Sequence, residues 1–520
     1  MEFDLLIRSG TIVDGTGRPG FRGDVGIRAD RIAAVGEIPS DAVAAATIDA
    51  EGRTVAPGFI DPHVHSETAL RGNPDRYGSV QQGVTTHLTS PDGFGWAPLP
   101  DGGSADLWRA YAFAGGEPDL RPRWPTIESY LDGFVGSVPV NVVPMAPHQA
   151  IRYAAMGWAA RPATTDELRR MADVTRAWLD AGAIGINTGL DYPPAAHSDT
   201  DELVALARVV AERGGVYASH MRYQGVGRAA AFREAAEIGR RAGIPIRISH
   251  ESIDDESEPI VDEARGDVDL TIDWYVYPAG SSHLMVWLPP EEQIGGVDGL
   301  LRRLRDSAVR ERIATVIERQ LEESHATGAR EYFAGTHTGR HIGRSIGEIA
   351  AERRQPIGET AVQLIEEESP DAILVFRRGM SEDEFDVLAR RTVAHPAYTV
   401  ASDGVYHGAL PHPRGYGCFA RFLGRWVREA GAVDLATGIR AMTGATAARF
   451  GITDRGRLAE GLAADVVIFD ADTIADQATW DQPRLPPIGV EATIVNGRVV
   501  VDHGTPTGEL PGRVLAGKTP

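Results

Sequence analysis

The sequence is poor in cysteine and almost devoid of lysine. Its 520 residues include a single cysteine, Cys418, which excludes an intramolecular disulfide framework. The only lysine is Lys518, near the C-terminus, so every other basic side chain is an arginine or a histidine. Chemistry that depends on a lysine, such as a Schiff base or a lysine general base, is therefore excluded from the body of the chain.

Long apolar runs and an excess of positive charge are also missing. No window of about 18 apolar residues occurs, and the start, Met-Glu-Phe-Asp, lacks the basic end and apolar core of a signal peptide. The net charge of −21 at pH 7 argues against nucleic acid or an anionic membrane as a partner, because both favour a basic surface. We expect a soluble cytoplasmic protein that binds a small molecule. The composition is compatible with a homo-oligomer.

Histidines at strand-like positions form the clearest functional pattern. His63 and His65 lie in the segment Val-Ala-Pro-Gly-Phe-Ile-Asp-Pro-His-Val-His-Ser-Glu. Side chains alternate between faces along a strand, so these two project from the same side and can share one metal ion. A His-x-His pair alone also arises in ordinary sheets. The pair gains weight because His220, His250 and Asp403 each follow an apolar run typical of a strand. These residue types indicate a zinc site.

The centre of the chain alternates strand patterns with amphipathic helix patterns. One unit begins with a capping box at Thr164, continues as a helix over residues 168–179 and ends as a strand over residues 184–187. Repeated units of this kind predict a parallel α/β sheet. We predict a (β/α)8 TIM-like barrel over residues 55–450, with an insertion at about 285–350. The predicted strands end near His63, Ser90, Met145, Asn187, His220, His250, Tyr275 and Asp403, at the face where active sites of this architecture lie.

Both ends of the chain carry short β patterns. Apolar runs within residues 1–54 are separated by glycine-rich turns, and those within residues 451–520 include the type I′ turn signal Asn496-Gly497. Two β segments that flank a long α/β centre predict a small β-sandwich domain formed from both termini.

The block around the first two histidines resembles the signature of the amidohydrolase superfamily, metal-dependent hydrolases built on a (β/α)8 barrel. Further blocks resemble the N-acyl-D-amino-acid deacylase (D-aminoacylase) group. They are Gly-Val-Thr-Thr at 83–86, Asp-x-Tyr-x-Tyr-x-Ala-Gly at 273–280, Ser-Asp-Gly at 402–404, His-Pro-Arg at 412–414 and Leu-Pro-Gly-Arg-Val at 510–514. The resemblance covers nearly the whole chain and implies hydrolysis of a C–N amide bond other than a peptide bond.

The resemblance also implies one or two metal ions, zinc first and Mn2+ or Co2+ as alternatives. Many superfamily members bridge two metals with a carbamylated lysine, and that version is excluded because the predicted barrel contains no lysine. In D-aminoacylases a cysteine after the second strand also binds metal, and Asp92 occupies that position here. A harder oxygen ligand should weaken the preference for zinc. The alternative is that Asp92 is only a turn residue before Gly93. The implied ligands are His63, His65, Asp92, His220, His250 and Asp403.

The resemblance assigns the proton transfers to one carboxylate. A metal-activated water would attack the acyl carbonyl, with Asp403 as general base and then as general acid toward the departing nitrogen. Arg414 resembles the arginine that binds the amino acid carboxylate in this group. Tyr277 and Tyr192 resemble tyrosines of the same pocket, and Ser281 is a further candidate for substrate binding.

One position departs from the deacylase pattern. The group usually carries a lysine shortly after the histidine of the sixth strand, whereas Glu251 and Ser252 follow His250 here. A missing cation would weaken binding of a free acid, and Glu251 could disfavour one. The alternatives are therefore an enzyme of the same fold that acts on a neutral amide, carbamate, ester, lactone or cyclic imide, and a non-catalytic scaffold.

Overall fold

The computed structural model describes residues 1–71, 77–99, 103–115, 124–368 and 372–516, so Lys518 lies outside the described residues. Strands from both termini meet in one nine-stranded sheet. Its strands are Glu2–Ile12, Phe21–Arg28, Arg31–Gly36, Val43–Asp49, Thr54–Pro57, Val466–Phe469, Val490–Val495, Arg498–Asp502 and Thr505–Pro506. Thr54–Pro57 lies between Val466–Phe469 and Glu2–Ile12, so the two ends of the chain share one hydrogen-bonded unit.

This terminal sheet has its own apolar core and the predicted turn. Ile7 and Val25 from the first strands pack with Ile494 from the C-terminal segment, and all three are fully buried. Asn496 and Gly497 have φ values of 47° and 78°, the left-handed conformation that a type I′ turn requires at both central positions. The turn signal in the sequence is confirmed.

The centre of the chain contains parallel strands in three further sheets. A six-stranded sheet has the order Ala146–Pro147, Gly185–Gly189, Val216–His220, Ile246–Ile248, Leu270–Trp274 and Tyr398–Val400. A three-stranded sheet contains Phe59–Asp61, Val84–Leu88 and Asn141–Val143, and Val64–His65 pairs with Gly404–Val405. Every pairing in these sheets is parallel. The predicted βα alternation is therefore present, because parallel neighbours need crossover connections.

Helices supply these connections. The capping box at Thr164 is present, since its side chain accepts from the backbone of Glu167 and the Glu167 carboxylate accepts from the backbone of Thr164. The helices are Gly103–Gly115, Ile127–Asp132, His148–Met156, Thr165–Asp180, Thr200–Ala211, Arg228–Ala242, Ser257–Asp267, Gly296–Arg303, Ser307–Ala326, Ile346–Arg353, Ile357–Glu368, Glu382–Ala394, Arg414–Arg421, Leu435–Met442 and Gly444–Arg449, with a π-helix at Phe422–Glu429. Among the described residues, none of the helices has the length and apolar character needed to cross a membrane.

In chain order, the strands of an antiparallel sheet come between the last two strands of the six-stranded sheet. This sheet consists of Ala279–His283, Arg330–Gly335 and Ile373–Arg377, with the last of these in the middle. The sheet extends beyond the predicted insertion at about 285–350, because two of its strands lie on either side of that range. Its middle strand brings residues distant in sequence to the same end of the molecule as the predicted metal ligands.

Candidate active site

The predicted ligands at the ends of the parallel strands converge on one buried cluster. Nε2 of His63 and Nε2 of His65 lie 3.4 Å and 3.3 Å from Oδ1 of Asp403. The centroids of the two imidazole rings are 5.6 Å apart. The last strand is held beside the first by the backbone N–H of Asp403, which donates to the carbonyl oxygen of His63 at 2.8 Å.

Asp92 lies in the middle of this cluster. Its carboxylate oxygens lie 3.5 Å from Nε2 of His63, 3.6 Å from Nε2 of His65 and 3.6 Å from Nε2 of His250. Nδ1 of His220 is 3.9 Å from Asp92 Oδ2. Asp92 is only 4% exposed, so the carboxylate faces four histidines instead of solvent. This is the placement expected of a metal ligand.

The backbone that carries Asp92 is held in a left-handed conformation. Asp92 has a φ of 54° within the 3-10 turn Pro91–Gly93, and Ser90 before it has a φ of 60°. His250 and Asp403 also have positive φ values, of 44° and 47°. Such values are uncommon outside glycine and cluster at functional sites. Asp92 is thus a turn residue by its backbone and a member of the cluster by its side chain.

Close packing against Gly189 fixes this turn. A Cβ at Gly189 would lie 2.2 Å from the carbonyl oxygen of Asp92, so Gly189→Ala must displace the turn. We expect the substitution to destabilise the protein by about 1–3 kcal/mol, and to weaken metal binding because the carboxylate moves. Urea unfolding and metal titration would measure the two effects. Gly266→Ala is the matched control, since a Cβ there meets nothing within 4 Å and both effects should be absent.

Within this cluster, two sets of three side chains could each hold a metal ion. One contains His63, Asp92 and His250, the other His63, His65 and Asp403, and the donor atoms within each set lie within 4.8 Å of one another. Nε2 of His63 and Oδ1 of Asp92 are buried without a hydrogen-bond partner among the described residues. Unmet nitrogen and carboxylate donors at such spacing fit a divalent cation such as zinc.

His220 lies beside these two sets and is oriented by an aspartate. Its Nδ1 is 2.8 Å from Nε2 of His250, and its Nε2 is 3.2 Å from Oδ2 of Asp191. The other oxygen of Asp191 accepts from the backbone N–H groups of Tyr223 and Gln224, both at 2.9 Å. A carboxylate on one ring nitrogen leaves the other free for a metal. Asp191 could not be predicted from the sequence, because no motif spacing links it to His220.

A second buried aspartate, Asp273, contacts two histidines of the cluster. Asp273 Oδ1 accepts from the backbone N–H of His250 at 3.0 Å and lies 3.9 Å from Nδ1 of His63. Arg247 forms an ion pair with Asp273 at 2.7 Å and donates to the carbonyl oxygen of Pro62 at 2.8 Å. The sequence placed Asp273 in a motif but gave it no role, since its partners come from other strands.

The carboxylate of Asp403 is ionised and paired. Burial alone would raise its pKa, but Arg414 and His63 hold the pKa of Asp403 well below its usual range. Nη2 of Arg414 lies 2.8 Å from Asp403 Oδ2, and the guanidinium stacks on the ring of Tyr275 at 4.2 Å. One carboxylate oxygen of Asp403 therefore faces the histidines and the other faces Arg414.

The carboxylates of Asp92 and Asp403 also change the pKa values of the histidines. Burial opposes protonation of His63, yet Asp92 and Asp403 outweigh burial and raise its pKa to about 10. The same carboxylates raise the pKa of His65 against the effect of burial. The two carboxylates therefore stabilise positive charge within the cluster. A divalent cation would supply it in place of protons, because metal-bound imidazoles are neutral.

A cavity of about 690 Å³ opens beside the cluster. Tyr192 and Ser281, two of the predicted substrate-binding residues, line it. The ring of Tyr192 lies 4.8 Å from that of His220, and the hydroxyl of Ser281 donates to the carbonyl oxygen of Leu374 at 3.1 Å. The cavity is also lined by His65, Asp92, His220, His250 and Asp403 of the cluster.

The other two predicted residues lie elsewhere. Arg414 is fully buried behind Asp403 and does not line the cavity. The hydroxyl of Tyr277 donates to Asp476 at 3.1 Å, whereas Tyr275 reaches the cavity. The motif contains both tyrosines, but the strand Leu270–Trp274 ends before them. Strand alternation therefore does not tell which one faces the cavity.

Glu251 does not present a free negative charge. Nη2 of Arg228 lies 2.7 Å from its Oε2, and the hydroxyl of Tyr223 donates to its Oε1 at 2.7 Å. The positive charge of Arg228 therefore offsets the repulsion of free acids that we expected from Glu251. Arg228 begins the helix Arg228–Ala242, far from Glu251 in the sequence, so sequence proximity alone did not show this pairing.

Cys418 is a packing residue. It is fully buried, its thiol donates to the carbonyl oxygen of Ala401 at 3.3 Å, and burial raises the pKa of the thiol well above its usual range. We expect the native protein to resist alkylation by iodoacetamide at about pH 8, because the thiolate is the reactive form. The urea-unfolded chain should be alkylated, as read by intact mass. Rapid alkylation of the native protein would contradict this placement.

Comparison with known proteins identifies the class of protein. A sequence model of the amidohydrolase family matches residues 46–501. The chain belongs to the amidohydrolase family.

Individual relatives are similar along almost the entire chain. The chain is 35% identical to a D-aminoacylase of Alcaligenes xylosoxydans xylosoxydans, over 99% of this chain and 98% of the relative. It is 36% identical to an N-acyl-D-glutamate deacylase of the same organism, over 99% and 96%. The crystal structure of N-acyl-D-glutamate deacylase from Bordetella bronchiseptica, complexed with zinc and a phosphonate inhibitor, superposes with a TM-score of 0.83 at 34% identity and covers 99% of this chain and 100% of that one. The resemblance inferred from the motifs is confirmed.

Proposed function

We propose that the protein is a metal-dependent N-acyl-D-amino acid deacylase, which hydrolyses the amide to a free amino acid and a carboxylic acid. The observation that carries the proposal is the convergence of four histidines, Asp92 and Asp403 on one buried cluster beside the cavity. The full-length similarity to deacylases of N-acyl-D-amino acids supports the same reaction.

The fold and domain organisation are part of this proposal. The parallel strands of residues 55–450 close into one (β/α)8 barrel, and residues 1–54 and 451–520 form the small β-sandwich. The hydrogen bond from Asp403 N–H to the carbonyl oxygen of His63 supports closure, because it joins the last strand to the first. The antiparallel sheet belongs to the insertion in the barrel.

The site fits one or two zinc, manganese or cobalt ions. Zinc in the Bordetella bronchiseptica relative supports this assignment. When bound, such an ion polarises an acyl carbonyl and makes a water more acidic. The residues that would hold it are His63, His65, Asp92, His220, His250 and Asp403.

Asp403 carries the proton transfers. It is a carboxylate at neutral pH because its pKa lies well below the usual range, so it accepts a proton from the attacking water. It then donates that proton to the departing nitrogen. The ion pair with Arg414 holds one oxygen in place and leaves Oδ1, which faces His63 and His65, for the reaction.

Arg414 stays a prediction from the motif for the carboxylate of the substrate, because it lies behind Asp403 and does not line the cavity. Its Nε and Nη1 are buried and have no hydrogen-bond partner in the part of the chain that the structure describes. Unmet guanidinium N–H groups match the paired oxygens of a carboxylate. Tyr192 and Ser281 line the cavity beside the cluster, and Tyr277 stays a prediction from the motif.

A matched panel of N-acetyl-D- and N-acetyl-L-amino acids tests this function. The protein would be loaded with zinc, manganese or cobalt and assayed for release of the free amino acid. We expect turnover confined to the D series. Metal-loaded protein that hydrolyses neither series would contradict the proposal and direct attention to neutral amides, esters and lactones.

We also propose a substrate class, a cellular location and an oligomeric state for the enzyme. Its substrate is a small molecule, as for its deacylase relatives. A cytoplasmic location and assembly into a homo-oligomer stay predictions from the sequence.

A further inference from the structure

Arg378 is a cation on the cavity wall that lacks an acidic partner. It directly follows the strand Ile373–Arg377 in the antiparallel sheet, and its backbone N–H donates to the carbonyl oxygen of Pro278 at 2.9 Å. This bond holds Arg378 at the rim, half-buried and lining the cavity. No carboxylate of the described residues forms an ion pair with it.

Two other anions that line the cavity, Asp403 and Asp191, already have partners. Asp403 is paired with Arg414 at 2.8 Å. Asp191 holds His220 at 3.2 Å and accepts two backbone N–H groups. A third lining anion, Asp92, faces the histidines of the cluster.

The charges at the rim have different surroundings. The guanidinium of Arg377 lies 5.4 Å from the ring centroid of Trp480, and Arg377 is exposed. Glu323 is 71% exposed at its side chain, with an oxygen 3.9 Å from Arg319. Neither Arg377 nor Arg378 forms an ion pair with a carboxylate of the described residues, but Arg377 is exposed and lies over Trp480, so Arg378 is the half-buried cation of the cavity wall.

Tyr275 lines the same cavity as Arg378. Arg414 stacks on its ring at 4.2 Å. Burial raises the pKa of Tyr275, while the positive charges of Arg414 and Arg378 act in the opposite direction. A Cβ at Gly280 would be 3.3 Å from the hydroxyl, so the glycine leaves the approach to this oxygen open. A hydroxyl donor and a guanidinium group that line one cavity are suited to an anion.

We propose that Arg378 and the Tyr275 hydroxyl form a carboxylate-binding subsite, so that the inserted antiparallel sheet supplies the cation that the residues after His250 lack. Arg378 would bind the α-carboxylate of an N-acyl-D-amino acid, and this assignment of the ligand rests on the proposed function. The subsite makes the protein selective for free acids over the corresponding neutral amides.

Binding of a matched acid and amide tests the subsite without turnover. N-acetyl-D-leucine and N-acetyl-D-leucinamide would be titrated calorimetrically into metal-free protein. We expect Arg378→Gln to weaken binding of the acid by about 10- to 100-fold, since a charge-assisted hydrogen bond is lost, and to leave binding of the amide within about twofold. Arg378→Lys should retain part of the preference for the acid. Arg377→Gln is the matched control and should change neither.

Deacylation by the metal-loaded variants separates the two proposals. Turnover of N-acetyl-D-leucine with the same KM in Arg378→Gln and the parent would overturn the subsite and leave the deacylase function standing. A preference for the acid that disappears in Arg378→Gln, in a protein without deacylase activity, would support the subsite and contradict the function. Equal loss of acid and amide binding in Arg378→Gln would overturn the subsite, because the charge would then play no part.

Discussion

Replacing Asp403 with asparagine is expected to lower kcat for an N-acetyl-D-amino acid by about 10²- to 10⁴-fold. Asparagine has nearly the same shape but cannot accept the proton of the attacking water or return it to the nitrogen. The variant should keep bound metal, because Asp92 and the histidines remain in the cluster. Measurement of kcat together with metal content would test both statements.

A matched substitution controls for the loss of one ion-paired carboxylate. Asp386 is bound to Arg425 at 2.6 Å, in a contact that involves no residue of the cluster. Asp386→Asn should therefore retain the parent kcat. An Asp403→Asn variant that binds metal and turns over at the parent rate would show that another group carries the proton.

The second large effect is expected at Asp92, where charge and backbone can be separated. Asn tolerates the left-handed conformation, so Asp92→Asn preserves the turn and removes the anion that faces four histidines. We expect metal affinity to fall by at least about 10- to 100-fold, the effect typical of losing even an outer partner of a metal ligand. Competition titration with a chelating dye would measure it.

Asp92→Cys provides the complementary variant. A thiolate is a softer ligand than a carboxylate, so this variant should bind metal and favour zinc over manganese more strongly than the parent does. Equal metal affinity in the parent, Asp92→Asn and Asp92→Cys would mean that Asp92 serves only as a turn residue.

Much of the candidate site could be predicted from local patterns. Strand alternation places His63 and His65 on one face, and apolar runs mark the strands that precede His220 and His250. The structure brings these side chains together with Asp403, because parallel strands deliver their C-terminal ends to one edge. Their roles as ligands stay predictions until a metal is measured.

The parts that could not be predicted depend on contacts between distant segments. Asp191 and Asp273 act through partners on other strands, so neither belongs to a local spacing pattern. Arg378 directly follows a strand that pairs with Ala279–His283 across the inserted segment. Tyr275 and Tyr277 follow the end of their strand, where the period of two residues no longer fixes direction.

Reconstitution of metal-free protein with zinc tests whether hydrolysis depends on the bound metal and is specific for the D enantiomer. Hydrolysis of N-acetyl-D-leucine and of its L enantiomer would be followed while zinc is added and bound metal is counted. We expect D-specific hydrolysis to be absent without metal and to rise with the bound ion, while the L enantiomer stays untouched. Hydrolysis at the same rate by metal-free protein, or equal hydrolysis of both enantiomers, would contradict this expectation.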